Sequence, residues 1–217
     1  MSADSTQDDC CPPGACASPR LRIGAVLLAA GEGRRLGGRA KGLISVAGEP
    51  LILRAQRLLR DAGVDEIVVV TGHFSEQLAP LLDGASVTQV TQPLSTHSQV
   101  DSLRLGVTAL PVNIDAVMVL PVDMPALIRG DLVSLMGAYK HAPAGIEFVG
   151  PVVNGRPGNP VLFSQVIAAR IAGGEGDFGS GAWRHQQPEW LLEWQTDNTH
   201  FIEDIDTPED LARWSTD

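Results

Sequence analysis

The stretch Ile23-Gly24-Ala25-Val26-Leu27-Leu28-Ala29 indicates the fold class, because an unbroken run of apolar and small residues is typical of a strand covered on both faces of a sheet. Two further runs of this kind follow, at residues 66–71 and 116–120. Segments with helical spacing of apolar residues separate the runs, beginning with a helix that Pro50 opens and Gly63 ends. Alternating strands and helices predict a three-layer α/β/α, Rossmann-like fold around a mostly parallel sheet.

Weaker signals predict the other elements. Short apolar segments are predicted as strands at residues 86–90, 146–149, 161–163 and 190–194, and a small helix is predicted near residues 166–171. Helix starts are predicted at polar capping residues: Ser75, Ser98 with Asp101 as a capping box, Asp131, and Thr207 followed by Pro208. We expect these elements to form one domain, residues 21–217, behind a disordered leader at residues 1–20.

The charge balance excludes several classes of protein. The 217 residues carry 16 Lys and Arg against 26 Asp and Glu, which gives a net charge of −10. An acidic chain is a poor binder of nucleic acid, because phosphate backbones demand a basic surface. No stretch approaches the roughly 20 apolar residues that span a bilayer, so no contact with a membrane is predicted.

The cysteines Cys10, Cys11 and Cys16 all lie in the leader, so a disulfide scaffold is excluded for the folded part. Their spacing lacks a fourth ligand for a soft metal, which favours a reduced, disordered tail over a metal site. The leader begins with acidic residues, where a signal peptide would have a basic segment followed by an apolar one. We therefore expect a cytoplasmic protein.

A glycine-rich basic loop, residues 30–42, follows the first strand. Gly31 and Gly33 allow backbone N–H groups to approach an anion closely. The loop also carries four cations that only Glu32 opposes: Arg34, Arg35, Arg39 and Lys41. A cluster of positive charge in an acidic chain favours a polyphosphate ligand, and the alternative is a mobile surface loop that needs glycine only to turn.

Two familiar phosphate-binding motifs do not fit the basic loop. A Walker loop needs Gly-Lys-Ser/Thr, whereas Lys41 is flanked by Ala40 and Gly42. A dinucleotide fingerprint needs a third glycine at position 36, whereas the glycine comes one residue later, at Gly37.

Two groups of carboxylates complete the candidate site. Asp123 follows the strand at residues 116–120, where ligands of open α/β sheets bind. It either holds Mg²⁺ against phosphate oxygens or is an ordinary turn residue before Pro125. Asp204 and Asp206 point the same way if their segment is extended, so that one of them could reach a second metal position. The alternative is that these acids only complement the dipole of the helix that follows.

Five segments, in this order, resemble the nucleotidyltransferases of the MobA-like type. They are the signature loop Leu28-Ala29-Ala30-Gly31-x-Gly33-x-Arg35-Leu36-Gly37-x3-Lys41, the strand end Leu120-Pro121-Val122-Asp123-Met124-Pro125, the acceptor segment Gly155-Arg156-Pro157-Gly158-Asn159-Pro160-Val161-Leu162-Phe163, the stretch Gly176-Asp177-Phe178-Gly179, and the C-terminal motif Asp204-Ile205-Asp206-Thr207-Pro208-Glu209-Asp210-Leu211. The resemblance covers nearly all of residues 23–214. It is nearest to the cytidylyl-transferring members that act on the molybdenum cofactor, because Ala30 stands where guanylyl-transferring members tend to carry glycine.

One region departs from the family pattern. The family's Asn-Pro and Gly-Met-x-Ser-Ser segments appear here as Gln92-Pro93 and Ser98-Gln99-Val100-Asp101-Ser102. In the family this region lies near the base or the acceptor, so the departure bears on the identity of both.

The resemblance implies a nucleotide-diphospho-sugar transferase-like fold and the transfer of a nucleoside monophosphate from an NTP to a phosphate-bearing small molecule, with release of pyrophosphate. CTP is the favoured nucleotide and molybdopterin the favoured acceptor. The resemblance implies three catalytic residues: Arg35, Lys41 and Asp123. It implies that the nucleotide is bound by Leu28, Ala29, Ala30, Gly31, Gly33, Arg35 and Lys41. Mg²⁺ would be held by Asp123 and Asp206, with Asp204 as a substitute, and the acceptor would contact Gly158, Asn159 and Asp177. Contacts with an enzyme that handles the acceptor, or with a second copy of the chain, stay open.

Three other functions also stay open. The acceptor could be a sugar or polyol phosphate. A glycosyltransferase with a related sheet would carry Asp-x-Asp at the fourth strand end, where this chain has Asp123-Met124-Pro125. A nucleotide-binding regulator without catalysis is the third, and the intact charges of Arg35, Lys41 and Asp123 argue against it.

Overall fold

The structure is a computed structural model that describes residues 20–93, 98–175 and 187–214. The predicted leader, except for Arg20, lies outside the described residues, as do its cysteines. Asp177 and the rest of the segment Gly176-Asp177-Phe178-Gly179 also lie outside them.

Within these ranges the chain alternates strands and helices as the sequence predicts. The strands are β1 (Ile23–Ala29), β2 (Ser45–Val46), β3 (Glu49–Pro50), β4 (Glu66–Thr71), β5 (Thr88–Thr91), β6 (Ala116–Pro121), β7 (Phe148–Val153), β8 (Arg156–Pro157), β9 (Val161–Ser164) and β10 (Leu191–Gln195). The α-helices are α1 (Leu51–Asp61), α2 (Ser75–Leu82), α3 (Gln99–Thr108), α4 (Arg129–Lys140), α5 (Gln165–Ala172) and α6 (Pro208–Trp214). Short 3₁₀ helices lie at Arg34–Leu36, Lys41–Leu43, Pro188–Trp190 and Thr199–Ile202. None of the helices in the described ranges is both long and apolar enough to cross a membrane.

A central sheet organises the molecule, with the strand order β5-β4-β1-β6-β9-β7-β10. β1 lies between β4 and β6 and is parallel to both. β9 is antiparallel to its neighbours β6 and β7, and the short β8 is antiparallel to β7. The predicted mostly parallel sheet is therefore confirmed, and β9 is a reversed strand within it.

Alternate residues of the strands enter two separate cores, which makes the fold three-layered. In β6, Met118 and Leu120 belong to one core, whereas Val117 and Val119 belong to the other. The first core also takes the buried faces of α1, α2 and α4, and the second takes those of α3 and α5. Helices thus cover both faces of the sheet, as the continuous apolar runs of β1, β4 and β6 require.

Several local predictions need correction. Ser75 does not cap α2: Phe74 precedes the helix, and no side-chain hydrogen bond caps it. Asp131 does not precede α4 either: the helix begins at Arg129, directly after the capping position Ile128. Asp131 lies in the first turn of the helix, where its carboxylate accepts the Ile128 N–H at 2.8 Å. Ser98 does cap α3, because its Oγ accepts the Asp101 N–H at 3.0 Å.

Two strand boundaries also differ from the prediction. The strand predicted at residues 86–90 lies at Thr88–Thr91. The strand predicted at residues 146–149 lies at Phe148–Val153 and continues through Pro151. Proline has no N–H to donate, but the Pro151 carbonyl still accepts the Gly158 N–H at 2.9 Å, so the strand tolerates it.

The packing of α3 against the sheet predicts the effect of adding one methyl group. A Cβ at Gly106 would overlap Val26 Cγ1 of β1 and lie 2.8 Å from Val70 Cγ2 of β4. Gly106→Ala should therefore destabilise the protein by about 1–3 kcal/mol through overpacking, measured as the free energy of unfolding in urea.

Gly137→Ala on α4 is the matched control. A Cβ at Gly137 has no neighbour within 4 Å, so this variant should gain about 0.5–1 kcal/mol from helix propensity. Equal effects of the two variants would contradict the packing described for α3.

Candidate active site

A cavity of about 540 Å³ opens at the carboxyl ends of β1 and β6, beside the start of α3. Its lining includes backbone and side chains from the basic loop, the end of β5 and the first turn of α3. These residues are Leu28, Ala30, Gly31, Glu32, Gly33, Arg34, Gln92, Ser98, Gln99, Ser102, Pro121 and Asp123. The cavity therefore has a charged end, at the basic loop and Asp123, and a polar uncharged end, at α3.

The structure separates the predicted nucleotide-binding residues into three groups. Four of them line the cavity: Leu28, Ala30, Gly31 and Gly33. Ala29 does not, because it lies on the other face of β1 and packs in the core. Arg35 and Lys41 lie next to the cavity, in a cluster of charges with Asp123 and Asp206.

The basic loop folds back on itself at a glycine. Gly33 has a φ of +59°, and its carbonyl accepts the N–H groups of Leu36 at 2.8 Å and Gly38 at 3.0 Å. A Cβ at Gly33 would overlap the carbonyl oxygen of Arg39. Leu36 is buried and anchors the loop to the core, so the loop is held in place although most of its side chains are exposed.

Lys41 joins the basic loop to the carboxylates. Its Nζ donates to Asp123 Oδ2 and to Asp206 Oδ1, each at 2.5 Å. Arg35 Nη1 donates to Asp206 Oδ2, also at 2.5 Å. Both oxygens of Asp206 therefore have a cationic partner from the basic loop.

We name Asp123, Asp204 and Asp206 the acidic triad. A backbone hydrogen bond holds their two segments together. The Ile205 N–H donates to the Asp123 carbonyl at 3.0 Å, and the Ile205 side chain is fully buried. Asp204 and Asp206 flank Ile205, so both point away from the core, as the alternation predicts.

The first turn of α6 fixes the backbone at Asp206. Asp210 accepts the N–H of Asp206 at 3.1 Å and the N–H and Oγ1–H of Thr207, each at 2.9 Å. These hydrogen bonds, with those from Thr207 the largest cause, lower the pKa of the Asp210 carboxyl to about 2. Thr207 accepts the Asp210 N–H in return, which confirms it as the cap of α6.

The charges of the cluster change one another's protonation. Burial alone would lower the pKa of the Lys41 ammonium, but the carboxylates of Asp123 and Asp206 outweigh burial and raise it above the ordinary value. The hydrogen bond from Lys41, aided by the charge of Arg35, lowers the pKa of Asp206. Partial loss of solvent, together with the charges of Asp123 and Asp206, raises the pKa of Asp204. The cluster therefore favours a charged Lys41 and a charged Asp206.

The acidic triad fits a divalent cation. One oxygen from each acid lies within 4.8 Å of the other two. Mg²⁺ and Mn²⁺ prefer oxygen ligands, and Mg²⁺ is commonly held by one or two carboxylates plus water and substrate phosphates. Asp123 and Asp206 can both contribute, as predicted, and Asp204 lies close enough to be a third ligand.

The predicted acceptor residues Gly158 and Asn159 lie at the same edge of the sheet because β9 is reversed. Val161 of β9 pairs with Val119 of β6, so the residues before Val161 lie beside the end of β6 that leads to Asp123. The Asn159 N–H donates to the Phe201 carbonyl at 2.8 Å, and a Cβ at Gly158 would overlap that carbonyl. Gly158 thus permits close packing against the Phe201 carbonyl. Of the two residues, only Asn159 has a side chain that can form hydrogen bonds.

Sequence reasoning did not assign Gln92 and Ser102 to the site. Both are buried, at 7% and 5% exposure, and both line the polar end of the cavity. Ser102 Oγ donates to Gln92 Oε1, and Gln92 Nε2 donates to the Ser98 carbonyl at 3.2 Å. The signals that point to them are a polar residue directly after β5 and another in the first turn of α3.

The side chain of Arg34 is 81% exposed. It pairs with Glu32 at 2.6 Å across the cavity mouth. Ion pairs of this kind contribute little to stability. The side chains of Arg34 and Glu32 can therefore separate and move towards a ligand.

Comparison with known proteins identifies the family of this chain. Residues 25–190 match the family described as MobA-like NTP transferase domain. A molybdenum cofactor guanylyltransferase of Cereibacter sphaeroides is 30% identical over 196 residues, which are 89% of this chain and 95% of that protein. A bifunctional protein GlmU of Syntrophomonas wolfei is 30% identical over 125 residues; these are 57% of this chain but only 27% of the length of that relative.

Solved structures share the fold. Rv0371c of Mycobacterium tuberculosis H37Rv is similar with a TM-score of 0.75 at 21% identity, over 89% of this chain and 97% of that one. Its complex with manganese gives a TM-score of 0.71 at 20% identity, over 89% and 97% of the two chains. The sheet is therefore that of the nucleotide-diphospho-sugar transferase-like proteins, as the resemblance implied.

Much of the candidate site lies within the range that matches the family. The matched range contains the basic loop, Asp123, and the segment with Gly158 and Asn159, which meet at one edge of the sheet. The extent of the match confirms the resemblance found in the sequence: the chain belongs to the MobA-like NTP transferase family and is a nucleotidyltransferase.

Proposed function

We propose that the chain transfers a nucleoside monophosphate from CTP to a phosphate-bearing acceptor of the molybdopterin type, releasing pyrophosphate. The observation that carries the proposal is the contact of Lys41 with Asp123 and Asp206 at 2.5 Å beside the 540 Å³ cavity. The contact supports the proposal, because it brings the cations proposed to bind phosphate next to the carboxylates proposed to hold a metal.

The reaction needs alignment and charge neutralisation more than covalent help from the protein. An oxygen of the acceptor phosphate attacks the α-phosphorus of the nucleotide and forms the new P–O bond. The bond from the α-phosphorus to the bridging oxygen breaks, and its electron pair leaves with pyrophosphate. Arg35 and Lys41 hold the triphosphate, with the backbone at Gly31 and Gly33, and Lys41 stabilises the charge that grows on the α-phosphate oxygens.

Mg²⁺ is the proposed cofactor, held by Asp123 and Asp206 with Asp204 within reach. When bound, a divalent ion neutralises charge on the phosphate oxygens. Rv0371c, a protein of the same fold, has been solved as a complex with manganese, which supports a divalent ion as the cofactor here. Asp123 is the best-placed ligand, since it is 16% exposed and lines the cavity.

The polar end of the cavity favours a nucleotide whose base carries an amino group. Ser102 Oγ donates its proton to Gln92 Oε1, so its lone pairs are left to accept a hydrogen bond. The 4-amino group of cytosine can donate such a bond, whereas the 4-oxo group of uracil cannot. Ala30, which lines the same cavity, supports cytosine through the family pattern.

Relatives support a second candidate for the nucleotide and favour the same acceptor. The relative from Cereibacter sphaeroides is named a molybdenum cofactor guanylyltransferase. Its name supports the molybdenum cofactor as the acceptor, and it makes GTP the alternative nucleotide, because guanine also carries an amino group. The partial match to GlmU keeps a sugar phosphate as the alternative acceptor.

The assignment of Asp123 predicts the effect of removing its charge. Asp123→Asn should lower the rate of pyrophosphate release from CTP and acceptor by about 100-fold or more, because the metal loses its central ligand. Release is measured in the presence of Mg²⁺ with each of the four NTPs and each candidate acceptor, and a thermal melt checks the fold.

Asp83→Asn is the matched control, since Asp83 is exposed at the end of α2, far along the chain from the acidic triad. It should turn over at the wild-type rate. Near-normal turnover of a folded Asp123→Asn variant would refute the metal assignment, and a wild-type protein that binds NTP tightly without turnover for any acceptor would favour the regulator.

The assignment of Ser102 predicts the preference for a base. Wild-type protein with Mg²⁺ should bind CTP more tightly than UTP, and Ser102→Ala should weaken CTP binding about fivefold while leaving UTP binding unchanged, because one neutral hydrogen bond contributes about 1 kcal/mol. Titration calorimetry with CTP, UTP and GTP measures these constants.

Ser134→Ala, at an exposed position on α4, should change none of these constants. Tighter binding of GTP than of CTP would replace cytidylyl with guanylyl transfer. Equal binding of CTP and UTP by the wild-type protein would contradict the base contact at Ser102.

A further inference from the structure

Arg35 and Lys41, the two cations proposed to bind the triphosphate, both form ion pairs within the protein. Lys41 contacts Asp123 and Asp206, and Arg35 contacts Asp206. We infer that Lys41 and a divalent cation compete for the same carboxylate oxygens, so that metal and nucleotide bind cooperatively through an exchange of ion pairs. This inference rests on the proposed function and concerns the regulation of that site.

The distances place the Lys41 ammonium where a metal that bridges the same two oxygens would lie. Lys41 Nζ lies 2.5 Å from Asp123 Oδ2 and 2.5 Å from Asp206 Oδ1. A Mg²⁺ ion would bind such oxygens at about 2.0–2.1 Å, which places it in the volume that the ammonium fills. The metal therefore enters this position only if Lys41 leaves it.

Burial makes the competition strong. The side chains of Lys41 and Asp123 are only 17% and 16% exposed. Charges that are partly shielded from water are screened less by salt than exposed charges. A divalent ion brought next to the ammonium would thus meet both a steric clash and a poorly screened repulsion.

Asp206 adds a second restraint. Its Oδ1 accepts from Lys41 and its Oδ2 accepts from Arg35. A metal that approaches Asp206 therefore meets a cation at either oxygen. Arg35 is 73% exposed, and exposed ion pairs contribute about 0–1 kcal/mol, so Arg35 leaves easily and Lys41 is the tighter competitor.

A nucleotide offers Lys41 other partners. The triphosphate supplies anionic oxygens to Lys41 and Arg35, which frees Asp123 and Asp206 for the metal. The metal in turn frees the cations for the phosphates. Because coupling between two sites is reciprocal, each ligand should tighten the binding of the other by the same factor.

Binding of Mn²⁺, followed by electron paramagnetic resonance, tests the exchange without turnover. Wild-type protein should bind Mn²⁺ weakly alone and about tenfold or more tightly with a non-hydrolysable α,β-methylene analogue of CTP or GTP. Lys41→Met keeps an unbranched side chain, one heavy atom shorter, and removes the charge, so it should bind Mn²⁺ alone about tenfold more tightly than the wild-type protein does.

Arg39→Met is the matched control. Arg39 is an exposed cation of the same loop, and it makes no ion pair with any residue in the described ranges. This variant should bind Mn²⁺ as the wild-type protein does, and thermal melts check that both variants fold. A gain for Arg39→Met as large as that for Lys41→Met would overturn the inference, because general charge and not a displaced ammonium would then explain the gain.

The remaining outcomes separate the inference from the proposed function. If the analogues bind with Mn²⁺ but Lys41→Met leaves the affinity for Mn²⁺ alone unchanged, the competition is overturned and the proposed function stands. If no analogue binds to the wild-type protein while Lys41→Met still binds Mn²⁺ more tightly, the competition stands and the proposed function fails.

Discussion

The parallel pairing of β1 with β4 and β6 determines where every charged group of this site lies. Leu28 of β1 is in register with Pro121 of β6, and the Val122 N–H continues the ladder to the Leu28 carbonyl at 3.0 Å. The basic loop and Asp123 therefore leave the sheet side by side. Any change in this register would separate the cations of the basic loop from the carboxylate of Asp123.

Two further segments reach the same edge by different routes. β9 runs antiparallel to β6, so its beginning, with Asn159, faces the site instead of its end. The C-terminal segment crosses the end of β6 with the Ile205 side chain buried and its N–H bound to the Asp123 carbonyl. Burial of one apolar residue thus orients the two acids beside it, which explains how a segment so late in the chain contributes to a site begun by the first strand.

Charge is distributed unevenly around this edge. The chain has a net charge of −10, yet the basic loop holds four of its cations. Two of these cations, Arg35 and Lys41, are already neutralised by acids of the site. The protein thus holds these two cations in internal ion pairs, which reduces the repulsion between like charges in the basic loop.

The local predictions failed where tertiary contacts override a local signal. Asp131 was predicted as a cap because it precedes an apolar helical pattern, but its carboxylate lies in the first turn and also contacts Asn198 and His200, at 2.7 and 2.9 Å. The strand at Phe148–Val153 was predicted to end at residue 149, before Gly150-Pro151, and pairing on both sides keeps it extended. Gln92 and Ser102 could not be paired from sequence, because their contact depends on how α3 packs beside β5.

Sequence by itself determined the order of strands and helices, the basic loop after β1 and the three carboxylates, because these depend on local apolar patterns and on the chemistry of single side chains. Only the tertiary structure decided that Lys41 meets Asp123 and Asp206, and that Asn159 lies at the same edge of the sheet. Lys41 and Asp206 are 165 residues apart in the chain, and no local pattern specifies a contact over that separation. The contact follows from strand register, from the reversal of β9 and from the burial of Ile205, all of which are properties of the assembled sheet and core.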